Sequence, residues 1–350
     1  MNKSIENLRF NSLDVWRGIA IIIMIFANSS AYALSQPHFI LIRLFFSLAA
    51  PLFIFMSGFS YTISKKNSSN KIKYLSGLYV IITATLVDLF IWRIIPFSTF
   101  DVLYILGIGI IINTIIKNLN WKFKIFFLIT IFCFYLYIIH KLNYRFEVFE
   151  IDILNLNNNF ISLIQQSNPF KRFIIDGWFP VFPWLGLIVL GTVFAEKRTV
   201  IIKHYKIGIV IGVLMTFIGV IFIISNPIIQ SERNNYLELF YPPSIYFILL
   251  SIGMSILVGI NISLNKLGDN FICRLLSKFG RKSLFIYILH CFIIQYLIKD
   301  NFSDLNLFKF LLLDIIFISV CYYVLKIIDK MSKNSYFESI PKPLKKIFGI

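Results

Sequence analysis

Long apolar runs separated by short polar stretches extend along nearly the whole chain. Most of these runs reach the roughly 17 to 25 residues that an α-helix needs to cross a bilayer. They predict an all-α, polytopic transmembrane helix bundle that forms a single domain over residues 1–330, followed by a basic tail at 331–350. The ten predicted spans lie near residues 14–33, 40–64, 73–94, 100–117, 122–140, 177–196, 206–225, 243–262, 283–298 and 306–328.

Lysine and arginine residues predict the orientation of this bundle. When the spans cross alternately, the side that carries the N-terminus holds 25 Lys and Arg residues, and the opposite side holds 7. Cytoplasmic loops of membrane proteins are enriched in these residues. The bias therefore predicts that both termini are cytoplasmic in a multi-pass protein of the cell (plasma) membrane.

The composition narrows the class of protein. Hydrophobic residues make up 58% of the chain and charged residues only 15%, which is far from the usage of soluble domains. The net charge of +17 could indicate a nucleic-acid partner, but the basic residues stand in short clusters between apolar runs. We therefore expect a lipid bilayer and no nucleic acid. The four cysteines show no spacing typical of a metal site, so we expect no metal.

The first predicted helix carries polar side chains along one face. Arg17 and Asn28 are eleven residues apart, which is three helical turns plus about 20° and a rise of about 16 Å. Asp14 lies on the same stripe. Polar groups at membrane depth are costly unless they are paired or functional. The simpler alternative to a functional role is that Asp14 and Arg17 form an ion pair at the membrane interface and that Asn28 bonds a neighbouring helix.

Two histidines add candidate chemistry. His38 follows Pro37 in the turn after the first helix, close in sequence to Asn28. A histidine can take a proton from an acceptor, and an amide can stabilise an oxyanion. In the ninth span, Ser283, Tyr287 and His290 share one helical face and could line a polar path. The alternative without a function is an exposed loop residue for His38 and a buried structural residue for His290.

Acidic residues within the apolar runs are the remaining signals. Asp88 and Asp314 lie inside predicted spans, where a Lys or Arg partner is the usual expectation. Asp101 opens the fourth span and is predicted to be a helix N-cap. The outer segment from Lys141 to Asp176 is long enough to cover or bind a ligand. Residues that could contact a substrate on this side are Arg43, Asp88, Asp176 and Trp178.

An ordered set of motifs resembles the heparan-α-glucosaminide N-acetyltransferase family, a group of transmembrane acyltransferases. The segments that carry the resemblance are RFNSLDVWRGIAIIIMIFANS, APLFIFMSGFSYTI, DVLYILGIGIIIN, WFPVFPWLGLIVLG, YPPSIYFILLSIG and FGRKSLFIYILH. The resemblance implies transfer of acetyl from cytosolic acetyl-CoA, the co-substrate, to an amino or hydroxyl group of an extracytoplasmic sugar or surface glycan. It also implies that the catalytic residues are Asn28 and His38. A homodimer is one assembly that the sequence leaves open.

The donor would then enter from the cytoplasmic side. The resemblance places His290 along the CoA path, and the polar stripes add Arg17, Asp14, Ser283 and Tyr287 as residues that bind the co-substrate. CoA with its pantetheine arm is about as long as the separation of Arg17 and Asn28. Two other functions stay open at this point: a transporter or flippase for a glycan or lipid-linked sugar, and a scaffold without enzymatic activity.

Overall fold

The computed structural model describes residues 11–64, 69–139, 141, 168–226, 238–265, 267 and 270–331, and within them it forms helices and no strands. The predicted tail beyond 331, and residues 142–167 of the outer segment, lie outside the described residues. The helices are α1 (Asn11–Ala33), α2 (Ile40–Ser47), α3 (Ala49–Ser64), α4 (Asn70–Val87), α5 (Val102–Ile116), α6 (Trp121–Ile139), α7 (Val181–Glu196), α8 (Arg198–Lys203), α9 (Tyr205–Ser225), α10 (Ile245–Leu264), α11 (Phe271–Arg281), α12 (Ser283–Ile293) and α13 (Leu307–Met331).

The described part of the chain supports seven to nine membrane spans. Seven helical segments are long and apolar enough to cross a bilayer by themselves. Two pairs of helical segments add a further span each if a bent pair is counted as one span. Pro169–Asp176 and α7 form the first pair, with a bend of 56°, and α11 and Ser283–Ile298 form the second, with a bend of 81°. Helix α5, at the predicted fourth span, has 15 residues and is about 22 Å long, shorter than a bilayer core of about 30 Å. The count of ten and the cytoplasmic termini stay predictions.

The 81° bend separates two stretches with different surfaces. Helix α11 carries Arg274, Lys278 and Arg281 beside apolar side chains, whereas α12 is apolar along most of its length. An amphipathic helix is stable along a membrane surface, and an apolar helix is stable within the bundle. The chain therefore turns at Lys282, and α12 runs into the bundle beside α1.

Glycines set the close approach of the helices around this bend. A Cβ on Gly18 of α1 would collide with the backbone of Leu276, and a Cβ on Gly280 of α11 would collide with the backbone of Asp14. Gly58 on α3 and Gly191 on α7 likewise leave no room for a side chain at the α3–α7 crossing. Small residues at such crossings are typical of membrane helix pairs. These contacts fix α1 against α11 and α3 against α7.

Candidate functional site

Each end of the polar stripe of α1 lines a cavity in the described part of the bundle. The Asn28 cavity has about 710 Å³ of empty space, counted together with its opening, and is lined by Met24, Ala27, Asn28, Tyr32, Phe46, Ala49, Ala50, Phe53, Trp92, Asp101, Val102, Trp178, Phe179, Glu238, Phe240, Tyr241 and Tyr287. The Arg17 cavity has about 1180 Å³ of empty space, counted in the same way, and is lined by Arg17, Phe53, Ser57, Ser60, Tyr61, Ser76, Tyr79, Val80, Leu103, Leu106, Ile110, Ser283, Leu284 and Tyr287.

The two cavities meet at a common wall. Phe53 of α3 and Tyr287 of α12 line both of them. Val102 and Leu103, neighbours at the start of α5, line one cavity each. A molecule in the Arg17 cavity and another in the Asn28 cavity can therefore approach the same two side chains from opposite directions.

Asn28 is held by a buried histidine. The Nδ2 atom of Asn28 lies 3.0 Å from Nε2 of His290, which has no exposed surface. An amide nitrogen only donates, so Nε2 accepts this hydrogen bond and the ring proton resides on Nδ1. His290 is not part of the cavity lining. It stands behind Asn28 and fixes the orientation of an amide that faces the cavity.

Tyr287 and Asp101 form a second polar pair on the same wall. The hydroxyl of Tyr287 donates to Oδ2 of Asp101, while Oδ1 accepts the backbone N–H of Val102 at 2.5 Å. The Asp101 carboxylate thus caps α5, which confirms the predicted N-cap. The ring of Tyr287 packs edge-to-face on that of His290, with centroids 5.0 Å apart. Packing and hydrogen bonds therefore join Asp101, Tyr287, His290 and Asn28 into one cluster.

The Arg17 cavity combines one guanidinium with several hydroxyl groups. Nη2 of Arg17 donates to Oγ of Ser60 at 2.8 Å, which aims the side chain along α3. The other hydroxyl-bearing residues in the lining are Ser57, Tyr61, Ser76, Tyr79, Ser283 and Tyr287. Guanidinium groups bind phosphate oxygens well, and hydroxyls can bond amide groups. This set suits an elongated ligand that carries both phosphates and amides.

Glu238 is a feature of the Asn28 cavity that the sequence interpretation missed. It precedes the start of α10. Burial raises the pKa of its carboxyl to about 7, and the positive charge of Arg43 lowers this pKa by a smaller amount. The available signal was a single acidic residue in the apolar stretch YLELFYPP. Arg43 itself is buried and lines neither cavity.

Several other predicted site residues lie away from both cavities. His38 is buried within the turn between α1 and α2, and its Nε2 lies 3.3 Å from the carbonyl oxygen of Leu34. Asp14 is buried beside α11, where its backbone faces Gly280. Asp176 pairs with Lys171 at 3.0 Å and with Arg172 at 3.9 Å. Among the predicted substrate contacts, only Trp178 lines the Asn28 cavity.

The two membrane acids have different partners from those predicted. Asp88 accepts a hydrogen bond from the hydroxyl of Tyr104 at 2.6 Å. Asp314 accepts one from Oγ of Ser29 at 2.8 Å. The expectation of Lys or Arg partners was wrong here, because nearby hydroxyls satisfy both carboxyl groups. The described residues contain no group of His, Cys, Asp or Glu side chains that could hold a metal ion.

Apolar helices long enough to cross a bilayer, with a few polar side chains gathered around two adjoining cavities, indicate an integral membrane protein with a candidate binding site inside the bundle. The family model described as "Heparan-alpha-glucosaminide N-acetyltransferase, catalytic" matches residues 9–209, more than half of the chain. The chain belongs to this family, which confirms the resemblance in the sequence motifs and indicates a multi-pass membrane N-acetyltransferase. No curated protein matches the chain. Asn28 and Asp101 fall within the matched region, whereas Glu238, Tyr287 and His290 follow it.

Proposed function

We propose that the protein transfers the acetyl group of acetyl-CoA to an amino or hydroxyl group of a sugar on the other side of the plasma membrane. The observation that carries this proposal is the wall shared by the two cavities at Phe53 and Tyr287. A donor that extends through the Arg17 cavity and an acceptor in the Asn28 cavity would meet there. The family match supplies the acetyl-transfer chemistry.

Arg17 and the surrounding hydroxyls hold the donor in this proposal. The guanidinium would bind phosphate oxygens at the end of the bundle where α1 begins, and the hydroxyls would bond the amides of the pantetheine arm. The spacing agrees with an extended donor, since Arg17 and Asn28 are separated by about 16 Å along α1. The predicted orientation places the Arg17 cavity towards the cytoplasm, where acetyl-CoA is available.

Asn28 stabilises the charge that develops on the acetyl oxygen. One hydrogen of its Nδ2 is engaged by His290, which leaves the other free to donate towards the cavity. A donor whose orientation is already fixed is most effective in a site that excludes water. His290 therefore acts as a positioning residue, and Asn28 contacts the reacting group.

Tyr287 and Asp101 receive the proton of the acceptor. As the bond from the acceptor nitrogen or oxygen to the acetyl carbon forms, the carbon–sulfur bond breaks. The tyrosine oxygen takes the acceptor's proton while its own proton passes to Asp101 along the existing hydrogen bond. Asp101 later returns that proton by the same route to the departing thiolate in the Arg17 cavity. Tyr287 can serve both partners because it lines both cavities.

The catalytic role of His38 stays a prediction that rests on the family resemblance. Its ring lies within the turn between α1 and α2, outside the lining of the Asn28 cavity. Assembly as a homodimer likewise stays a prediction.

Release of CoA thiol from acetyl-CoA tests the proposed function. The full-length protein, purified in detergent, is expected to release thiol only when an amino sugar or neutral sugar is also present, with one acetylated sugar formed for each thiol. Mass spectrometry of the sugar identifies an amide or an ester product. A protein that is folded and binds acetyl-CoA but acetylates no member of a panel of hexoses and hexosamines would contradict the proposal.

A further inference from the structure

Glu238 is a buried carboxyl group with an unsatisfied oxygen. Its side chain lines the Asn28 cavity, and only 8% of the residue is exposed. Within the described part of the chain, Oε2 has no hydrogen-bond partner. Burying a polar atom without a partner is costly, and such atoms are rare in folded proteins. The arrangement indicates a ligand that donates to this oxygen.

The backbone around Glu238 is fixed to α2. The N–H of Leu239 donates to Oγ of Ser47 at 2.8 Å, and that hydroxyl donates in turn to the carbonyl of Arg43 at 2.7 Å. Arg43 is buried and favours the ionised form of Glu238, which offsets part of the effect of burial on its pKa. The carboxyl group is therefore anchored at one place in the cavity wall and remains able to accept hydrogen bonds near neutral pH.

Aromatic rings stand beside this carboxyl group. Tyr241 packs against Phe240 with ring centroids 4.5 Å apart, and Trp178 lies 6.2 Å from Tyr241. All three line the Asn28 cavity together with Glu238. A few polar groups placed among aromatic surfaces are typical of small-molecule sites. A sugar ring has apolar faces that pack on aromatic rings and an edge of hydroxyl or ammonium groups that donates hydrogen bonds.

We propose that Glu238, with Trp178 and Tyr241, forms the subsite that positions the acceptor sugar. The carboxylate accepts hydrogen bonds from hydroxyl or ammonium groups of the sugar that do not react, and the rings of Trp178 and Tyr241 pack against its apolar face. This subsite lies in the same cavity as Asn28 and Asp101, so it holds the sugar within the reaction chamber. The inference rests on the proposed function, because it assigns the acceptor to this cavity.

The Glu238→Gln variant tests this subsite with little change in shape. An amide is a poorer acceptor than a carboxylate, so we expect KM for the sugar to rise about 10- to 100-fold. The KM for acetyl-CoA and the kcat at saturating sugar are expected to stay within about twofold of wild type. Initial rates measured over a matrix of both substrate concentrations give the two KM values and kcat separately. A general loss of folding would not change the KM for sugar alone.

The matched control is Asp314→Asn. It makes the same change at a buried carboxyl group that bonds Ser29 outside both cavities, and it is expected to leave the KM for sugar unchanged. Trp178→Leu supplies an independent test if the Glu238 variant does not fold, since Trp178 is only half-buried, and it too should raise the KM for sugar. An unchanged KM for sugar in folded variants overturns the subsite. Absence of sugar acetylation by the wild type overturns the proposed function instead.

Discussion

Replacing Asn28 by alanine is expected to lower kcat for acetyl transfer by about 10²- to 10³-fold, the usual effect of removing one oxyanion donor. The amide faces the cavity and is held by His290 at 3.0 Å, so the variant loses a donor whose orientation is already fixed. The KM for acetyl-CoA should change little, because Asn28 is not part of the Arg17 cavity. Steady-state rates of thiol release with saturating sugar measure the effect.

Asn113→Ala is the matched control for this variant. Asn113 is a buried amide on α5 that accepts a hydrogen bond from Thr192 at 3.1 Å, and it lines neither cavity. Its replacement should lower thermal stability while kcat stays within about twofold of wild type. Equal losses of kcat in the two variants would show that the loss does not depend on a position in the cavity, and would contradict the proposed role of Asn28 as an oxyanion donor.

The two histidines give a finer comparison. His290→Gln should lower kcat by about 10- to 100-fold, because Asn28 remains but is less well positioned. His38→Gln is expected to retain more activity than His290→Gln, since its ring lies outside the cavity lining. A larger loss in the His38 variant would support the catalytic role that the family resemblance implies for this residue.

Replacing Tyr287 by phenylalanine is expected to lower kcat by about 10²- to 10⁴-fold, the range typical of removing a general acid–base group. The change deletes only the hydroxyl that joins the wall of both cavities to the carboxylate of Asp101. Substrate binding should be largely kept, because the aromatic ring remains. Rapid mixing with radiolabelled acetyl-CoA, analysed over a single turnover, separates slow chemistry from slow release.

Tyr104→Phe provides the control for this second variant. The Tyr104 hydroxyl donates to a buried carboxylate, that of Asp88, in the same way as Tyr287 donates to Asp101, but it lines neither cavity. We expect a lower melting temperature in this variant and a kcat near that of wild type. Retained single-turnover chemistry in Tyr287→Phe would exclude the proton route through Tyr287.

Helical phase explains how much of the site the sequence could predict. Arg17 and Asn28 lie on one face because of their spacing, and the structure places them in two cavities that meet. The shared face of Ser283, Tyr287 and His290 follows from the same geometry. What phase cannot show is which faces of distant helices meet. The Asn28–His290 pair joins residues 262 positions apart, and its geometry depends on the packing of α1 against α12.

In the fold, too, features that depend on neighbouring residues could be predicted from the sequence, whereas features that depend on contacts between distant residues could not. The length of the apolar runs was sufficient for the seven long spans, and the N-cap of α5 could be predicted from Asp101 alone. The 81° bend before α12 depends on α11 packing along α1, a contact between distant residues. Glu238 was missed because its importance comes from the aromatic cavity and from Arg43, not from a local motif.

Acetyl transfer across a sealed membrane is the most direct test of a donor cavity and an acceptor cavity that meet inside the bundle. The full-length protein is reconstituted in liposomes, and its orientation is determined from the protease sensitivity of a tag at the N-terminus. Acetyl-CoA is supplied on the side of the N-terminus, and a membrane-impermeant hexosamine is supplied on the other side. We predict that acetylated sugar accumulates on the hexosamine side and that Asn28→Ala slows this accumulation by about 10²- to 10³-fold. Product that forms only when both substrates are on the same side would contradict transfer between the two cavities.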